Sequence, residues 1–236
     1  MGLLEWVGDF FISDPVQRRT RRFVRKFQSV KDWMVRDDVL ANFMVSSPSC
    51  KVDLAELGRV ALRDPDVRVR RKAALLIATT GGDERHAWGL CGCFCGLDFD
   101  AELMDNASKA LVSLKEKSVE PLCELVSGEF HLKLRQRIAS QMSKEGLAAL
   151  AESERRARAK AALVLWTIGD KRAIPALRQA LSGSSGGWER HSIAKAFVHL
   201  AEEAGVRELQ ELNRTADDEL RNIIQEALEE HRLRVD

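Results

Sequence analysis

Apolar residues recur at i, i+3, i+4 and i+7 along most of the chain, the spacing that gives an α-helix one buried stripe. The pattern repeats. Arg68–Gly96 (RVRRKAALLIATTGGDERHAWGLCGCFCG) aligns with Arg156–Gly183 (RARAKAALVLWTIGDKRAIPALRQALSG) once one glycine is inserted in the first. Both read Arg-x-Arg-x-Lys-Ala-Ala-Leu, then a Gly-Asp turn, then a second stripe in which Leu90 matches Leu177 and Phe94 matches Leu181. A third copy runs over Ala107–Gly128, and weaker ones over Leu134–Leu150, Arg190–Leu212 and Glu219–Leu233. Gly169-Asp170 is placed to close one helix and open a turn, and Pro175 falls early in the next helix, where its missing N–H costs little.

The basic anchors that open the copies fall at Lys72, Lys109, Arg137, Lys160 and Lys195, spaced by 37, 28, 23 and 35 residues. That is about the length of a two-helix unit whose stripe is covered only by stacking on its neighbours. The expected fold is all-α, a right-handed α-α superhelix of about five to six helix pairs. Two regions are expected: a basic helical segment over residues 1–52, and repeats over 53–236 ending in an acidic cap.

Composition supports this reading. Hydrophobic residues make up 45% and aromatics 6%, tyrosine is absent, and there are five prolines. Chain disorder and an all-β fold are both excluded. Met1–Ile12 is apolar but too short to span a bilayer and is broken by Glu5 and Asp9, while Trp6 stands where an N-myristoylation site wants Ser or Thr. The uncharged stretch Ala87–Leu97 has only 11 residues and three glycines. Five cysteines, an odd number, are read as reduced thiols, which places the protein in the cytoplasm.

The repeats resemble the HEAT family, in particular the short bacterial type also seen in phycobilin lyases. The residues that carry this are Ala61-Leu-Arg-Asp-Pro-Asp-Val-Arg-Val-Arg-Arg-Lys-Ala-Ala74 and Ile168-Gly-Asp-Lys-Arg-Ala-Ile-Pro-Ala-Leu177. Such a resemblance implies an α-solenoid and does not by itself imply a function.

The segment Gln17–Met34 has a different chemistry. It holds Arg18, Arg19, Arg21, Arg22, Arg25, Lys26 and Lys31 against Asp32, with Arg36 just beyond. On one helix Phe23, Phe27, Val30 and Met34 would share a face opposite Arg18, Arg21, Arg22 and Arg25. That basic face reads either as solvated surface, as a stripe for the phosphates of DNA, or as a dock for an anionic membrane. The reading taken forward is DNA or a protein partner, with no membrane.

Lys31-Asp-Trp33-Met-Val-Arg-Asp37-Asp38-Val-Leu-Ala-Asn42, followed by Arg70-Arg71-Lys72-Ala73-Ala74, resembles the HEAT-like DNA alkylation repair family over about residues 30–115. By that resemblance Trp33 would contact a damaged nucleotide and Asp37 would stabilise the cationic sugar as the glycosidic bond breaks. Arg71 or Lys72 would hold a phosphate. The position four after Lys109, where the family carries a second base-contacting Trp, is Ser113. The set Trp33, Asp37, Arg71, Lys72, Arg18, Arg22 and Arg25 is the candidate site. A non-catalytic scaffold is weighed against an alkylpurine glycosylase, with a lyase-like or assembly role as a third reading.

Cys91, Cys93 and Cys95 lack the Cys-x2-Cys pairing of structural zinc and read as small packing residues. No metal and no cofactor is expected, and the chain is expected to act as a monomer. None of His86, His131, His191, His199 and His231 is followed by Glu, so the paired His-Glu dipeptides of di-iron HEAT hydroxylases are missing. The formal net charge of +1 hides an asymmetry. Residues 17–36 carry eight basic and one acidic side chain, +7, whereas residues 200–236 carry five and eleven, −6.

Overall fold

The computed structural model describes residues 14–46, 53–96, 99–132, 143–183 and 187–235. These form eleven α-helices, with no strand among the described residues. They are α1 (Pro15–Ser29), α2 (Trp33–Ser46), α3 (Leu54–Ala61), α4 (Val67–Thr80), α5 (Glu84–Phe94), α6 (Ala101–Leu114), α7 (Val119–Ser127), α8 (Lys144–Ile168), α9 (Ile174–Gly183), α10 (Gly187–Thr215) and α11 (Asp218–Val235). The anchor at Arg137 and most of the weak copy Leu134–Leu150 lie outside the described residues, as does Cys50.

The chain divides into two compact units, Met1–Leu90 with Asp100–Ser113, and Cys91–Phe99 with Leu114–Asp236. In the first, α1 packs on α3, α2 on α4, and α3 on α4. In the second, α7 packs on α8 and α9, α8 and α9 both pack on α10, and α10 packs on α11. In both units helices thus pack on sequence neighbours and on the helix two positions along the chain, which is the stacking of an all-α solenoid.

The aligned stripes are the core. Leu76, Ile77, Leu90 and Phe94 are buried, as are Ala161, Ala162, Leu165, Leu177 and Leu181. Cys91 packs in the core, as a small packing residue should, although its place in the repeat alignment does not mark it. The alignment sets it opposite the exposed Arg178, outside the stripe, yet it is fully buried beside Leu90. The Gly-Asp turn forms as the spacing predicts: Gly169 closes α8 at φ 77°, and Asp170 caps the following 3₁₀ turn by accepting from the Arg172 N–H. Asp66-Val-Arg68 uses the same device at α4. There the Asp accepts the backbone N–H two residues on (2.9 Å), and the Arg guanidinium folds back onto it. The copy Arg190–Leu212 lies within α10, which is bent at Glu202 (φ 52°, ψ −135°), a left-handed conformation that a non-glycine residue adopts at a cost.

The N-terminal segment is not one continuous helix. α1 ends at Ser29, and Asp32 accepts the Met34 N–H (2.9 Å) to start α2 at Trp33. The buried stripe of α1 is therefore Thr20, Val24 and Phe27, and Met34 lies 53% exposed. Thr20 Oγ1 receives the Asp53 N–H at 2.8 Å, which ties α1 to the cap of α3. Arg36, counted above among the basic residues, is also not on a basic surface. It is buried, bonded to both carboxylate oxygens of Asp64 at 2.6 and 2.9 Å, and donates to the carbonyls of Val30 and Lys31 at 2.5 and 2.9 Å.

The second unit holds a comparable buried cation. Arg158 donates to the Val126 carbonyl (2.9 Å) and the Ala180 carbonyl (3.3 Å), and its Nη1 lies 3.0 Å from Glu189, which is wholly buried. Burial pushes the Glu189 carboxyl above its ordinary 4.5, and the Arg158 charge only partly offsets that.

Two outcomes are expected. Arg36→Ala strands a buried carboxylate and should cost roughly 3–5 kcal/mol in a urea melt; a loss no larger than that of an exposed Arg→Ala variant would show that the pair is not structural. Glu189 binds its proton more tightly folded than unfolded, so its contribution to stability declines as pH rises above 4.5. Glu189→Gln should therefore gain on the parent chain between mildly acid and neutral pH. Parallel stability profiles of the two proteins would contradict this.

Candidate functional site

α2 and α4 lie against each other in the first unit, and most of the candidate residues sit on these two helices. Trp33 opens α2 and is half-buried. Its ring is covered by the guanidinium of Arg68, whose central carbon stands 3.2 Å from the ring centroid. One turn on, Asp37 faces Lys72 at 3.4 Å. Of the two candidates for the cation, the structure sets Lys72, not Arg71, beside the carboxylate.

Arg71 turns toward α6. It bonds both carboxylate oxygens of Asp100 at 3.0 and 2.5 Å and reaches Glu102 at 2.6 Å. Asp100 also caps α6 by accepting the Leu103 N–H (2.7 Å), and Asn106 of α6 donates to the Arg71 carbonyl (3.4 Å). The bond from Arg71 holds the Asp100 carboxyl below its usual range and raises the already high Arg71 value. Arg71 is therefore a strut between two helices.

The residue that sequence reasoning missed is Arg68. Its local role on Asp66 is readable from the Asp-x-Arg spacing, but its reach across to Trp33 depends on how α2 and α4 pack. Both of the neighbours that act on Asp37 and Trp33, Lys72 and Arg68, stand on one face of α4, four residues apart.

The basic side of α1 is present as expected. Arg18 and Arg25 are partly exposed and Arg22 is exposed. Among the described residues no carboxylate lies within ion-pair distance of Arg18, Arg19, Arg21 or Arg22. The acidic C-terminal stretch contrasts with this. Glu202 pairs with Lys171, Glu208 with Arg178, Asp217 with Arg190, Asp218 with Arg221, Glu226 with His191 and Glu230 with Lys195. Much of the negative charge of α10 and α11 is spent on cations within the same unit.

The cysteines offer no ligand set, and no cluster of three or more metal-binding side chains occurs among the described residues. Burial raises the Cys91 thiol well above its normal value, pushes Cys95 up to about 12, and pushes Cys123 up to about 11. No described helix is long and apolar enough to cross a membrane.

Residues 143–229 match the family model for HEAT repeats. The matched stretch runs from the start of α8 into α11, and with the all-helical architecture it supports a HEAT-repeat protein. No curated protein matches the chain.

The thiol environments make a direct prediction. Iodoacetamide at mildly alkaline pH should leave Cys91 unmodified and label the half-buried Cys95 only slowly in the folded protein, and label both fully once it is unfolded, as peptide mass spectrometry would show. Labelling of either at the rate of a free thiol would mean that it is neither buried nor held protonated.

Proposed function

We propose that this chain is a non-catalytic HEAT-repeat scaffold that binds a partner protein, working as a monomer in the cytoplasm. The observation that carries the reading is the internal neutralisation of the α2–α4 cluster. An active glycosylase would need Asp37 open toward a developing positive charge, a free aromatic face at Trp33 and a cation ready for phosphate. Instead Arg68 covers Trp33, Lys72 occupies Asp37, and Asp100 and Glu102 hold Arg71. These contacts stiffen the helices and hold no charge in reserve for a substrate. Stacked HEAT repeats present long helical surfaces suited to protein partners.

A second reading is contact with DNA through Arg18, Arg22 and Arg25, favoured by the exposed basic side of α1. Phosphate contacts of that kind give affinity without sequence preference.

The test is affinity capture with the full chain, with DNA binding and base release measured in parallel. One dominant protein should be retained, and duplex DNA should bind weakly. Should DNA bind with an affinity that falls steeply with salt, and should replacing Arg18, Arg22 and Arg25 by Ala flatten that slope, the second reading replaces the first. Release of alkylated bases from methylated DNA, abolished by Asp37→Asn, would overturn the non-catalytic reading outright.

A further inference from the structure

A cleft of about 590 Å³ opens in the first unit where the end of α1 and the α1–α2 loop face the end of α3. Its apolar floor is Phe27, Val30, Val60 and Pro65, and four cations but only one carboxylate line it. Two of the cations are spent. Arg36 is held by Asp64, and Arg59 is bonded to Glu56 at 2.6 and 2.7 Å. The other two, Lys31 and Arg63, are exposed, and neither has a carboxylate within ion-pair distance among the described residues. The Arg36 bonds to the Val30 and Lys31 carbonyls fix the loop that carries Lys31, so the cleft is preformed.

We infer that this cleft binds a short acidic segment of a partner protein, one in which an apolar side chain is flanked by Asp or Glu. The inference rests on the scaffold reading above and names the chemistry of the partner. The volume is that of a site for a few side chains. The floor takes the apolar group, while Lys31 and Arg63 take the carboxylates. Charge complementarity sets the sign: two open cations beside an already neutralised wall leave net positive charge that no carboxylate among the described residues pairs with. Nucleic acid is the poorer fit. Single strands need exposed aromatic faces for their bases, and here the one lining aromatic ring, Phe27, is buried in the α1 stripe while the rest of the floor is aliphatic.

The experiment is fluorescence anisotropy with the full chain and a labelled peptide, Glu-Asp-Leu-Glu-Phe-Asp-Glu, at low salt. Three comparison probes are used: the same peptide with Ser for Leu and Phe, the same peptide with Lys for its acids, and a short oligothymidylate. The parent peptide should bind, and each comparison probe should bind about tenfold more weakly or less. The double variant Lys31→Glu with Arg63→Glu should lower the parent affinity by about tenfold or more, while Lys31→Arg with Arg63→Lys retains it. Both positions are exposed, so circular dichroism and melting should not change. Equal binding of the parent and Ser peptides, oligothymidylate binding as tight as the parent peptide, or indifference to the charge reversals would each overturn the inference. Capture of the same dominant protein by the wild type and by the Lys31→Glu/Arg63→Glu variant would remove the cleft as the docking site while leaving the scaffold reading intact. If the wild type captures nothing and the peptide does not bind, both fail.

Discussion

A stack of short helices creates a steady supply of carbonyl groups at helix ends that no helical N–H can reach, and each must be satisfied where neighbouring helices press together. This protein satisfies many of them with arginine. Arg36 takes the Val30 and Lys31 carbonyls, and Arg70 takes those of Asp64 and Pro65. Arg158 takes those of Val126 and Ala180, and Arg221 that of Ala216. A planar guanidinium presents several donors at once, so one side chain can close a turn and hold a carboxylate, as Arg36 does with Asp64. These four arginines therefore serve construction and are not part of a surface prepared for polyanions.

The repeat architecture was legible in the sequence because it depends on local rules. Helical spacing, the Gly-Asp turn, early prolines and the recurrent Arg-x-Arg-x-Lys-Ala-Ala-Leu each report on fewer than ten residues, and all formed as read. Arg70 and Arg158 occupy the same place in that motif and do the same work, reaching back to carbonyls at the end of a preceding helix. What was not legible depends on partners far along the chain. Arg36 and Asp64 are 28 positions apart, and Arg71 and Asp100 are 29. No periodicity announces such pairs. Treating Gln17–Met34 as one helix erred for a related reason: Asp32 was counted as a stray acid in a basic run, although its carboxylate caps a new helix.

The candidate site shows the same division. The family resemblance groups Trp33, Asp37 and the Arg71-Lys72 pair as one site, and in the structure α2 lies on α4. Which cation faces Asp37, and what lies over Trp33, depended on one residue of helical phase: a turn of about 100° per residue sends Arg71 to α6 and Lys72 to α2. The two ends of the chain differ in a comparable way. Their opposite net charges were correct as sums, but the acidic end is largely paired within its own unit, whereas Arg18, Arg19, Arg21 and Arg22 have no carboxylate within ion-pair distance among the described residues.

The Asp-x-Arg caps at Asp66–Arg68 and Asp170–Arg172 complete their bonds within three consecutive residues. A turn built this way needs nothing from the rest of the molecule to take its shape. Copying one helix pair with its cap would carry a finished corner to the new position, and a stack could lengthen or shorten by whole units without a new solution for each junction. Chain growth by duplication is thus written into three residues at each such turn.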